Sequence, residues 1–240
     1  NGRIQEYEPD WGCGYKLGDY VSTNWATYNA SNGDNFAPSA VMRFFSEKDI
    51  VSIASYGDST MTGLTNSPGN GGGGMMGYVR VAARNVVAEG IPAVHVNGAY
   101  QSMTSGYFLG NALREVRLLR PSIAVLRSWS INDGYTQEVF GSAMGLLTRA
   151  IAVCRAAGTI PVVEVPPPQG LTESNAARLI AYQNRVRAIG GVLFDIDALT
   201  TDGGVNPKIR AELLSSPGID NVHFGRAGHD YLGAELAKAL

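Results

Sequence analysis

From Asp49 to Leu240 the chain alternates between two hydrophobic rhythms. Short continuous apolar runs rich in Val, Ile and small residues fall at 50–57 ("IVSIASYG"), 91–100, 122–130, 159–168 and 191–199. Between and after them lie longer stretches, at 76–90, 105–120, 138–158, 172–190 and 226–240, where apolar residues recur every three or four positions. The first rhythm is that of buried strands and the second that of amphipathic helices. Strands that alternate with helices build a parallel sheet covered on both faces, and strands buried on both faces need no polar alternation. The punctuation agrees. Gly90 is a candidate C-cap, Pro121 stops the second helix, the third ends at Gly158, and Thr172 is a candidate N-cap for the fourth. In such sheets function collects in the loops that follow the carboxyl ends of the strands.

The remaining composition narrows the classes. A chain of 240 residues, 45% hydrophobic and 17% charged, suits one large domain or one domain with a small extension. Net charge is −2 with Lys and Arg scattered, which argues against nucleic acid or an acidic membrane as partner. No apolar run is read as a membrane span. Three histidines (His95, His223, His229) are too few for a multi-histidine metal site, and Cys13 and Cys154 too few for a disulfide scaffold. Whether those two are bridged is open. Cys154, in an apolar helical pattern, is expected to be a buried thiol. Residues 1–48 are rich in Tyr, Trp, Asn, Asp and Gly and show little periodicity. We read them as an irregular extension packed on a main domain of residues 49–240. The chain starts at Asn1, so it is read as either processed or a piece of something longer.

Three short stretches carry chemistry. Gly57-Asp58-Ser59 closes the first strand; these are ordinary turn residues, but the position would also display Ser59 as a nucleophile. "SINDGY" follows the third strand, where the Asn132 side-chain N–H could point at a carbonyl held over Ser59. "GIDNVHFGRAGH", residues 218–229, sets Asp220 three residues before His223, so one turn can bring both side chains together. A carboxylate beside an imidazole fixes its tautomer and stabilises the imidazolium formed when it accepts a proton. Together these stretches offer nucleophile, base, orienting acid and oxyanion donor. The Gly-rich segment at 66–77 lacks the Gly-Lys-Ser/Thr ending of a phosphate loop and reads better as a mobile loop beside the serine.

These motifs resemble the blocks of the SGNH (GDSL) hydrolase family, over roughly residues 49–240, and are closest to its carbohydrate acetylesterases. "GDS" is similar to the nucleophile block, "INDG" to the block with the oxyanion asparagine, and "DNVHFGRAGH" to the Asp-x-x-His block. The resemblance implies a flavodoxin-like three-layer α/β/α sandwich around a five-stranded parallel sheet. It also implies ester hydrolysis without cofactor or metal, with Ser59, Asp220 and His223 catalytic. The oxyanion hole would be the backbone N–H groups of Ser59 and Ser102 with the Asn132 side chain. Two departures stand out. Ser102 occupies the register where the family has a glycine, with Gly98 a weaker candidate, and Ser130 replaces a glycine two residues before Asn132.

For substrate contact the candidates are Asp58, Tyr100, Trp129, Tyr135 and Gln169, polar or aromatic rather than aliphatic. The expected partner is therefore an acetylated polysaccharide or another small-acyl ester. A broad short-chain or lipid esterase, and a non-catalytic carbohydrate-binding domain, are the alternatives. The expected setting is extracellular, or as one domain of a larger surface or virion protein. Arg127 and Glu164 are charges inside adjacent apolar strands; they are expected to pair, unless they reach solvent at the strand ends.

Overall fold

A computed structural model describes residues 4–5, 15–16, 50–63 and 77–240 of the chain. The chain contacts group it into two units, Asn1–Phe45 with Ser67–Met75, and Ser46–Asn66 with Met76–Leu240. In the first unit, β1 (Ile4–Gln5) and β2 (Tyr15–Lys16) pair antiparallel. The expected packing of the extension, the reading of Cys13 and the mobile Gly-rich loop lie outside the described residues.

The second unit is built on a five-stranded parallel sheet. Its strands are β3 (Val51–Tyr56), β4 (Ala93–Asn97), β5 (Ile123–Arg127), β6 (Ile160–Val165) and β7 (Val192–Asp195), in the spatial order β4-β3-β5-β6-β7. Strand order therefore reverses at β3, the kind of switch point at which open α/β sheets form their crevice. Alternate side chains feed two cores. Ile53, Ile123, Val125 and Val162 point to one face, against α2 (Tyr78–Ala88) and α7 (Arg226–Ala239). Ala54, Tyr56, Ala124, Leu126 and Val163 point to the other, against α3 (Ser105–Leu119), α4 (Gln137–Ala156) and α5 (Glu173–Arg187). This is the expected three-layer α/β/α sandwich with the flavodoxin-like strand order.

Several local readings change. By length and hydropathy α4 is apolar enough to cross a membrane, against the sequence reading. Its Phe140, Ala143, Leu147, Ala150, Ile151 and Cys154 nevertheless follow the three-and-four spacing of a single face and are buried in the core. Cys154 is a free buried thiol, and burial pushes its pKa up to about 11. Thr172 sits at the N-cap of α5 but its side chain makes no capping bond. Gly90 lies one residue beyond the C-cap Glu89, at φ +87°. After β7 the chain forms a short helix, α6 (Ile196–Thr200), then an antiparallel hairpin of β8 (Leu214–Ser216) and β9 (Asp220–Phe224). Asp220 and His223 thus stand on the second strand of this hairpin.

Candidate active site

Ser59 opens a four-residue helix, α1 (Ser59–Thr62), directly after β3. The preceding Asp58 is its N-cap: Oδ1 accepts from the Thr60 backbone N–H at 3.0 Å and from the Thr60 hydroxyl at 2.7 Å. Gly63 ends the helix in the left-handed conformation. As the first helical residue, Ser59 has no intrahelical acceptor for its backbone N–H, which makes that group a ready donor to an anion. The side chain is almost wholly buried, 6% exposed.

Its hydroxyl lies 2.8 Å from His223 Nε2, and His223 Nδ1 lies 2.8 Å from Asp220 Oδ2. Asp220 also accepts through Oδ1 from the backbone N–H groups of Val222, at 2.9 Å, and His223, at 3.1 Å. Burial works to raise the Asp220 pKa, but these N–H groups and the imidazole outweigh it and hold the carboxyl below its ordinary range. An anionic Asp220 accepts the Nδ1 proton, leaving the Nε2 lone pair facing the serine hydroxyl. Such an arrangement can withdraw a proton from Ser59 as its oxygen attacks an electrophile.

The loops after β4 and β5 flank this chain of hydrogen bonds. Gly98 N–H donates to Ser55 O at 2.8 Å and Tyr100 N–H to Gly57 O at 3.0 Å, so the loop after β4 runs along the nucleophile turn. Gly98 is glycine for packing: a Cβ there would stand 2.9 Å from Ser55 O. Ser102 has φ +56°, the left-handed region that favours glycine. After β5 a 3-10 turn, Ile131–Asp133, is closed by a capping box in which Ser130 Oγ accepts from Asn132 N and Asp133 accepts from Ser130 N. The Asp133 carboxylate also accepts from Ser105 N at 2.9–3.0 Å, tying the start of α3 to this turn. Asn132 is exposed on its tip. Its Nδ2 donates to Met103 O at 3.2 Å and to Ser130 Oγ at 3.0 Å, rather than into open space over Ser59.

The structure separates the remaining candidates. Tyr100 is 48% exposed and meets Tyr107 edge-on, ring centres 6.2 Å apart. Asp58 is wholly buried, with both carboxylate oxygens turned inward to Thr60 and Arg127, so it is not a substrate contact. Trp129 is likewise buried; it packs between Tyr135 and Phe140 and donates through Nε1 to Gly134 O. Its size and apolarity suit the core better than a pocket wall. Tyr135 is half-buried against Trp129, and burial raises its pKa to about 12. Gln169 lines a small cavity of about 90 Å³ with Leu179, Gln183 and Pro207, along one side of α5. Among the described residues no three His, Cys, Asp or Glu side chains converge as a metal-binding group.

The sequence reading expected Arg127 and Glu164 to pair, and they do: opposite each other on β5 and β6, Nη1 lies 3.8 Å from Glu164 Oε2. It missed the closer partner, Asp58 Oδ2, 3.1 Å from Arg127 Nε. It also missed Tyr78, whose hydroxyl donates to Glu164 Oε1.

No protein-family model and no curated protein sequence matches the chain. Solved structures do. A psychrotrophic esterase from Pseudoalteromonas sp., inhibited by monoethylphosphonate, is 16% identical at a TM-score of 0.60, over 79% of this chain and 96% of that one. A GDSL-like lipase from Bacteroides thetaiotaomicron is 14% identical at 0.59, over 79% and 87%. An acetyl xylan esterase is 15% identical at 0.58, over 79% and 100%. The second unit of this chain therefore has the three-layer fold of the GDSL, or SGNH, hydrolases.

Proposed function

We propose that the protein is a serine esterase that removes small acyl groups, chiefly O-acetyl, from carbohydrate. The observation that carries this reading is the pair of 2.8 Å contacts joining Ser59, His223 and Asp220 at the carboxyl end of β3. In the reaction Ser59 Oγ attacks the ester carbonyl while His223 Nε2 takes its proton. His223 then returns that proton to the departing alcohol, and water attacks the acyl-enzyme by the same route. Asp220 holds the imidazole throughout. The developing oxyanion is received by the backbone N–H groups of Ser59 and Ser102 and by Asn132 Nδ2. Both Nδ2 hydrogens have acceptors in the resting site, so substrate must draw one away from Met103 O or Ser130 Oγ.

Small acyl groups are supported by the Gly, Ser and Asn residues of the strand-end loops, which are short rather than large and aliphatic. A sugar leaving group is supported by Tyr100 and Tyr107, exposed rings near the loop of Ser102, since aromatic faces pack against the apolar faces of sugars. The fold likeness to a lipase favours a lipid or broad short-chain esterase as the second reading. Rates on p-nitrophenyl esters from acetyl to octanoyl, with acetate release from acetylated xylan, separate the two. The proposal expects a steep fall with chain length and acetate from the polymer. Equal or faster cleavage of octanoyl esters moves the reading to lipid, and no cleavage of any ester leaves a non-catalytic domain.

A further inference from the structure

Arg127 is the last residue of β5, and its side chain is wholly buried beneath the site. Its Nε–H donates to Trp129 O at 3.1 Å, pinning the bend that leads into Ser130 and Asn132. The same Nε lies 3.1 Å from Asp58 Oδ2, while Asp58 Oδ1 caps the helix that begins with Ser59. One nitrogen thus sits between the loop of the nucleophile and the loop of Asn132. The far end of the guanidinium faces Glu164, which in turn accepts from Tyr78 of α2. Among the described residues Nη1 and Nη2 have no hydrogen-bond acceptor, so Nε carries the link between the two loops.

We propose that Arg127 is a positioning residue for ester hydrolysis: it sets the spacing between Ser59 and Asn132 by holding Asp58 and Trp129 O on one guanidinium nitrogen, Nε. The inference rests on the reading of Ser59 as nucleophile and Asn132 as oxyanion donor. Nothing in the fold alone requires an arginine there, because a buried charge is costly and a hydrophobic pair of similar volume serves stability at least as well. What an arginine adds is a charged N–H part-way along the side chain, at Nε, set in a planar group. A lysine keeps the charge but has a methylene, Cε, where arginine has Nε, so Trp129 O loses its donor and Asp58 its close partner.

The experiment compares wild type, Arg127→Lys and Glu164→Gln on p-nitrophenyl acetate, with thermal unfolding of each. Arg127→Lys should fold and keep KM within roughly threefold while kcat falls about 10- to 100-fold, the scale of a small misplacement of reacting groups. The shape of its pH profile should be unchanged, because the base is untouched. Glu164→Gln disturbs the same buried cluster behind the fork and should keep kcat within roughly threefold. Wild-type kcat in folded Arg127→Lys overturns the inference. So does an equal loss in both variants that tracks their lost stability. If Arg127→Lys fails to fold, Asp58→Asn, which retains the capping oxygen, must show the kcat loss instead, and full activity there overturns the inference too. Wild-type protein without esterase activity would sink the underlying reading instead, a result distinguishable from these.

Discussion

Acid should destabilise the protein in large part through one buried ring, His229. His229 of α7 is 1% exposed, lies nearly parallel to Tyr78 with ring centres 6.0 Å apart, and meets Phe224 edge-on at 5.9 Å. Burial, and then the nearby His223, lower its pKa from 6.5 to about 3. The folded protein therefore keeps the ring neutral while the unfolded chain binds a proton once the pH falls below 6.5. The His229 contribution is intact above that value and is lost as the pH falls toward about 3. Each pH unit inside the window costs about 1.4 kcal/mol, and about 1.5 units separate pH 6.5 from pH 5, so acidification from pH 7 to 5 costs about 2 kcal/mol through this residue. His95, half-buried on β4 and lowered to about 4 by burial and Arg80, adds in the same direction. Glu164 opposes both, because burial raises it to about 7 and the folded state takes up its proton first. Comparing wild type with His229→Gln cancels both of those terms. The variant forfeits ring packing worth about 1–3 kcal/mol at pH 7, but should lose about 2 kcal/mol less than wild type between pH 7 and 5 in urea unfolding. Equal losses in the two proteins would refute the account of His229 as a ring kept neutral by burial.

Two further variants address the oxyanion groups. Ser102→Gly relieves a left-handed serine, a gain of about 1 kcal/mol offset by the greater freedom of glycine in the unfolded chain. Stability should therefore change little, and activity on an acetyl ester should stay within roughly tenfold of wild type because the backbone N–H remains. Loss of activity in Ser102→Gly would instead give the hydroxyl a specific role. Asn132→Ala removes a side-chain donor and should lower kcat by about 10²–10³; near-full activity would remove Asn132 from the hole.

The sheet could be read from the chain because each parallel strand is a continuous apolar run between helical repeats, and Val51–Tyr56 and Ile123–Arg127 fall within their expected ranges. The hairpin that carries Asp220 and His223 could not. Its strand Leu214–Ser216 has three residues, too few for a period of two to declare itself, and its turn runs through Gly218 at φ +83°. Ser59, Asp220 and His223 announced themselves through the Gly-Asp-Ser and Asp-x-x-His motifs, and the Ser59–His223 hydrogen bond joins residues 164 positions apart. Asp58 and Trp129 were misread as substrate contacts because proximity in sequence to Ser59 and Asn132 does not say which way a side chain turns. The buried cluster had a partial signal, two charges in apolar strands. The third member, Asp58, was hidden inside the nucleophile motif, and Tyr78 inside an ordinary amphipathic helix.

The central claim is that Ser59 is the nucleophile, and covalent labelling tests it most directly. The protein is treated with a serine-directed ethylphosphonate ester, and the modified peptide is located by mass spectrometry alongside loss of activity on p-nitrophenyl acetate. The account predicts one phosphonyl group per chain, on Ser59, appearing in step with inactivation and absent from a folded Ser59→Ala variant. Labelling at another serine with loss of activity, or hydrolysis that persists in Ser59→Ala, would contradict it.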